Sequence, residues 1–355
     1  MRRIICYLLL TAAAVSGAWT MRIAAQSGAC APSGGLNFIC GIQAAEDLVL
    51  VPNTRWLVGS GMMAGSGLHL IDTTAKTASA LFAPGTSALR ADKTKYASCP
   101  GPLDPKQAIL HGLSLRPAQT GRYTLYATNH GGRESIEVFE LDASGAKPTV
   151  AWIGCVLMPN NWAANSVAVF TDGAIVATVL VLPGKTFEDV WAGRNTGLVV
   201  MWTPGSREFK TLAGTELPGN NGIETSPDDR EFYVASIGLH RVVAYSRANP
   251  SKALRYAQVK EYAPDNVRFV GNRLYTAGLI ENEAACGGPP KKPEDIQCPR
   301  GWIVDAIDPK TMAVTEIARG LRAPPYTGTA TAIPAGGNLW LSSFNVDRIA
   351  YRALK

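Results

Sequence analysis

Charge is scarce in this chain: Asp, Glu, Lys and Arg make up 17% of its 355 residues. No basic run is interleaved with aromatics, so no nucleic-acid surface is expected. Beyond the N-terminal leader, no segment is long and apolar enough to span a bilayer. No stretch longer than about 12 residues holds a clean 3.6-residue period, which argues against long helices. There is no C-x-x-C pair, so the cysteines are not expected to ligate metal. There is no G-x-S-x-G elbow either, which leaves Ser114 and Ser135 poor candidates for a serine triad.

Turn formers, by contrast, are plentiful, with 35 Gly and 23 Pro. Almost every apolar run is short and ends at Gly, Pro, Asn or Asp, as in "LHLID", "YTLYATN", "SIEVFELD", "GLVVMW", "EFYVAS" and "RVVAYS". Such runs are strands, and the chain reads as all-β. They recur in fours, each group opening on a polar residue, and six groups open near 46, 111, 165, 221, 265 and 329. Four-stranded units in series are the blades of a propeller. The expected architecture is one six-bladed β-propeller over residues 29–355 with a calcium site in its central channel; a pair of β-sandwiches is the competing topology.

Residues 1–28 read as a secretory signal peptide, with Arg2 and Arg3 before an apolar stretch from Ile4 to Ala18 and small residues near Ala18 and Ala25 for cleavage. A membrane would be involved only if this segment stayed uncleaved. Removing Arg2, Arg3 and Arg22 with the leader takes the formal charge from +6 to +3. A secreted or periplasmic location follows, and with it an oxidising compartment. Outside the leader, which holds Cys6, six cysteines allow 15 connectivities. We expect Cys30–Cys40, Cys99–Cys155 and Cys286–Cys298, the last because it closes the excursion "CGGPPKKPEDIQC".

The polar openers carry the functional reading. The innermost strand of a blade runs along the channel, so residues at its mouth converge on the axis. Here they are Glu46 with Asp47, His111, Asn165, Asn221, and Asp265 with Asn266. One Asp-Asn pair is ordinary turn chemistry, but carboxylates and carboxamides at the mouths of several blades are not. Hard oxygen donors in this number suit Ca²⁺, which takes about 6–8 of them. Zinc would require Cys or several His, and Mg²⁺ keeps more of its waters.

The ordered segments "GIQAAEDLVLVP", "HGLSLR", "YATNHGGRESIEVFEL", "NNWAANSVAVF", "GNNGIETSPDDREFYVAS" and "APDNVRFVGNRLYTAG" resemble those of the paraoxonase/arylesterase family. Its wider kin are the six-bladed, calcium-dependent lactonases of gluconolactonase type. The resemblance covers roughly residues 40 to 280. It implies a catalytic calcium held by Glu46, Asn165, Asn221, Asp265 and Asn266. It also implies a second, structural calcium on Asp47 and the Leu113 carbonyl, and paired histidines, His111 and His130, acting as base and partner. The chain departs from the family at Ser166, where an acidic ligand of the structural ion is expected, and no cysteine follows Cys298 to reach the C-terminal strand.

The expected activity is therefore calcium-dependent hydrolysis of a small lactone or an aryl or carboxylic ester, with loops 183–196 and 280–301 over the channel setting the substrate. The alternative is a non-catalytic, calcium-stabilised propeller serving as a binding platform, with 289–293 as contact loop. A condensing enzyme like strictosidine synthase on the same fold would need a channel Glu but not the calcium set. His69 and His240 are given no role.

Overall fold

The computed structural model describes residues 30–83 and 88–354; the leader expected over 1–28 lies outside them. Six sheets, antiparallel but for one added edge strand, follow one another along the chain. Their first strands are Leu48–Leu50, Leu110–Gln119, Val167–Val169, Asn220–Thr225, Val267–Val270 and Thr329–Ala335. These six touch one another in a ring, which makes them the channel wall and the sheets the blades of a six-bladed β-propeller. Each strand opens where the sequence places a polar residue, because a carboxylate or amide at the mouth ends the apolar run that the sheet buries.

The core is not one centre but six layers, each between neighbouring blades. Val58, Leu70, Leu113, Leu125 and Trp152 fill the first layer, between blades 1 and 2. Ile39, Ile349, Ile333, Leu48, Leu57 and Ile71 fill the last, between blades 6 and 1. Closure uses the chain's beginning. Strand Asn37–Cys40 pairs antiparallel with Arg348–Ala353 and becomes the outermost strand of blade 6, so a strand from each end of the chain locks the ring.

Two irregular blade spacings have structural causes. Between blades 1 and 2 the chain detours to lay Ala88–Leu89 parallel against the outer strand Thr149–Leu157, giving blade 2 a fifth strand. The detour is pinned by Cys99–Cys155. Between the second and third strands of blade 5 lies the excursion closed by Cys286–Cys298, and Cys30–Cys40 ties the closing strand to the segment before it. All three expected pairings are present, with Cα separations of 6.0, 5.1 and 5.8 Å. No helix among the described residues is long and apolar enough to cross a membrane.

Candidate functional site

At one end of the channel, Glu46, His111, Asn165, Asn221 and Asp265 line the floor of a single cleft. Asn266 is bound to that floor, its amide donating to Glu46 Oε1 at 2.7 Å. Residues up to 220 positions apart in sequence thus meet on one axis. Two glycines allow the approach. A Cβ on Gly112, next to His111, would stand 2.6 Å from Ser166 Cα, and one on Gly222, next to Asn221, would stand 2.6 Å from Asn266 Cα and from the Asp265 carbonyl oxygen. Inner-strand mouths this close require a residue without a side chain.

The donor set is incompletely satisfied by the protein itself. Glu46 Oε2 and the Oδ1 atoms of Asn165, Asn221 and Asn266 are all buried and accept no hydrogen bond. Buried oxygens without donors are costly, and four in one locus call for a common partner. Burial, then the neighbouring Asp47, pushes the Glu46 carboxyl well above the usual range. Burial, then Glu46, does the same to Asp265. A hard divalent cation satisfies the four oxygens and offsets both carboxylates at once, and the absence of sulfur and the preponderance of amide oxygens suit Ca²⁺ rather than a transition metal. Among the described residues no three His, Cys, Asp or Glu side chains are placed to hold a metal ion by themselves, so an ion here would depend on the Asn oxygens. The first-ion set therefore fits.

The second-ion set does not. Asp47 and the Leu113 carbonyl are indeed neighbours, but the guanidinium of Arg268 binds both. The resemblance led us to expect a structural calcium there; the sequence reading missed Arg268, which sits two residues past Asn266 inside the strand "VRFV". Alternation puts its side chain on the channel side, a signal that could have been read.

Beside the first-ion set lies a chain of imidazoles. His111 Nε2 is 3.4 Å from Glu46 Oε2, without a hydrogen bond between them. His111 Nδ1 meets His130 Nε2 at 3.1 Å, and His130 Nδ1 meets Glu134 Oε2 at 2.8 Å. Glu134 is a second residue the sequence reading passed over; its spacing of four from His130 across the bend at Gly131 and Gly132 is the clue. Burial lowers His111 to about 4, so its ring is neutral at ordinary pH. Ser114 lines the opposite mouth of the channel, and Ser135 is buried against Glu137, so neither serves the cleft.

Above the floor the walls are mostly apolar, with Leu180, Ile237, Leu279, Phe344 and the aromatic pair Phe187 and Trp191, beside the charged Glu281 and Arg300. That pair is carried by a short helix, Phe187–Trp191, within the loop expected over the channel, and its rings lie 5.9 Å apart. A capping box starts the helix, Thr186 Oγ1 accepting from Asp189 N and Asp189 accepting from Thr186 N. The excursion supplies Pro290 and Ile296. Buried Arg300 holds it by donating to the carbonyls of Glu281, Gly288 and Asp295. His240, given no role from sequence, pairs at 2.6 Å with Glu281, a wall residue.

No family model matches the chain, and no curated protein does; the paraoxonase resemblance rests on the ordered segments. Solved structures do match. A luciferin-regenerating enzyme superposes over 90% of this chain and 96% of its own at 12% identity, with a TM-score of 0.52. A PQQ-bound aldose sugar dehydrogenase from Streptomyces coelicolor does so over 90% and 99% at 14% identity, TM-score 0.51. A calcium-binding protein, regucalcin from Agrobacterium tumefaciens, does so over 89% and 91% at 11% identity, TM-score 0.50. At these identities the likeness is one of fold: the chain shares the six-bladed β-propeller of such proteins.

Proposed function

We propose that this protein is a calcium-dependent hydrolase of lactones or of aryl and carboxylic esters, exported to an oxidising compartment. One observation carries the reading: buried, donorless oxygens of Glu46, Asn165 and Asn221, which line an apolar cleft, and of Asn266, whose amide is bound to Glu46, stand beside a neutral histidine. Those residues and Asp265 would hold Ca²⁺, which would supply Lewis-acid polarisation of a carbonyl. The rest falls to the chain. Leu180, Phe187, Trp191, Ile237 and Phe344 bind the hydrocarbon part of the substrate and exclude bulk water. Neutral His111 accepts the proton of the attacking water, and His130 takes up the hydrogen bond on its other nitrogen. Glu134 fixes the tautomer and orientation of His130. The three disulfides support the exported location.

Hydrolysis of phenyl acetate and of a medium-ring lactone, each assayed in calcium and in chelator, tests the reading. Activity that vanishes in chelator and returns with calcium is expected. Asp265→Ala, which removes one of two carboxylates, is expected to abolish it, and His111→Asn to lower kcat by about 10²–10⁴-fold. A protein that binds calcium yet turns over neither substrate class would instead be a binding platform.

A further inference from the structure

We propose that the Arg268 guanidinium is the permanent central cation of this propeller, bound where a structural metal ion would otherwise join the inner strands, so that the ring closes without one. This rests on the reading that the cleft floor takes a single divalent ion, and it is separable from it.

Arg268 is 4% exposed, deep in the channel. It springs from blade 5 and donates to the Asp47 carboxylate of blade 1, to the Leu113 carbonyl of blade 2 at 3.0 Å, and to the Ile223 carbonyl of blade 4 at 3.2 Å. It also donates to the carbonyl of its own neighbour Val267 at 2.8 Å. Blade 6 joins through Thr331, whose hydroxyl donates to Asp47 Oδ1 at 2.9 Å. One side chain thereby links, directly or through Asp47, the inner strands of blades 1, 2, 4, 5 and 6. That is the work a metal ion at an axis performs, done here by a covalently attached charge.

The site has no capacity left for an ion. Asp47 accepts from Leu48 N at 2.8 Å, Leu113 N at 2.6 Å, Thr331 and Arg268, which uses both its oxygens fully. The Leu113 carbonyl faces the guanidinium too. Asp47, with Glu224 and Glu46 nearby, already balances the Arg268 charge, and a divalent ion at this level would stand beside a guanidinium that cannot deprotonate. The one neighbouring blade without a link here, blade 3, offers Ser166, a hydroxyl in place of a carboxylate, buried and without a partner. Towards the lower mouth Arg116 repeats the device on a smaller scale, joining blade 2 to the Val169 carbonyl and Thr225 hydroxyl of blades 3 and 4.

The test is calcium stoichiometry by calorimetric titration of the full chain, together with thermal melts in calcium and in chelator. One ion per chain is expected, with a midpoint in chelator lower by less than about 5 °C, as a single site would give. Two ions per chain would overturn the proposal, as would unfolding on chelation. No ion bound and an unchanged midpoint would defeat the calcium reading of the cleft while leaving the arginine closure standing. In Arg268→Ala, with Asp47 and the Leu113 carbonyl released, the midpoint is expected to depend on calcium more steeply than in the wild type; an equal dependence in a folded variant would count against the idea. The double variant Ser166→Asp/Arg268→Ala adds a second carboxylate to Asp47 and is expected to bind a second ion. Should both variants fail to fold, the wild-type stoichiometry decides.

Discussion

His130 and His69 illustrate how differently two histidine environments work. His130 bridges Glu134 and His111, so Glu134 acts on the reaction only through two rings. Glu134→Gln keeps the hydrogen bond but not the charge. We expect kcat to fall about tenfold, below the range of a lost general base, with KM little changed. Glu134→Asp should recover part of the loss, and the acid limb of the pH–rate profile should move; a profile unchanged in both position and height would remove Glu134 from the relay. His69 lies away from the cleft, with Nε2 against Ser66 Oγ at 3.1 Å, and burial lowers it from 6.5 to about 4. Its folded state binds fewer protons than the unfolded state between those values. The stability it confers is therefore complete above pH 6.5 and is lost as pH falls towards 4, by up to about 3 kcal/mol. His69→Gln is expected to flatten denaturant-derived stability across that window relative to the wild type, and parallel curves would refute the assignment.

At the scale of the element, the inner strands do two things at once: they bury an apolar face between blades and present a polar mouth to the axis. Gly222 shows how narrow the tolerance is, since its N–H donates to the Asp265 carbonyl at 3.0 Å and an added Cβ meets backbone at 2.6 Å. Backbone cannot swing aside as a side-chain tip can. Gly222→Ala is expected to push Asp265 and Asn266 away from Asn221 and to weaken calcium binding at least tenfold while far-UV dichroism stays that of a β-protein. Binding of calcium at wild-type strength would show that the mouths have more play than this packing indicates. The helix Phe187–Trp191 and the disulfide-closed excursion are the complementary elements: both interrupt the blade repeat, and both supply cleft wall.

For the whole molecule, the closing strand is decisive. Asn37–Cys40 lies in register with the last strand, Phe38 opposite Ala350 and Ile39 opposite Ile349, and both side chains enter inter-blade layers. Cys30–Cys40 anchors the end of this strand. In Cys30→Ser/Cys40→Ser we expect a loss of about 2–4 kcal/mol, read as a lower thermal midpoint, with the cleft and its activity at low temperature retained. A midpoint equal to that of the wild type would mean that strand pairing alone holds the closure.

Much of this architecture is legible in the amino-acid sequence by itself. Short apolar runs separated by Gly, Pro, Asn and Asp determine strands, because local sterics and turn chemistry act within a few residues. Their grouping in fours determines blades, and the polar openers mark the cleft floor, since the strand mouth is where a channel-facing carboxylate can sit without interrupting a buried sheet. Cys286–Cys298 follows from proximity. What the tertiary structure decided are the relations set by closing the ring. Only there does Arg268 meet an aspartate 221 positions away, turning an expected metal site into an ion pair. Only there does Glu134 fall into line behind two histidines, and only there does the N-terminal strand complete the last blade. These contacts have no local sequence signature, because a side chain's partner across a closed ring depends on the register and tilt of all six blades together.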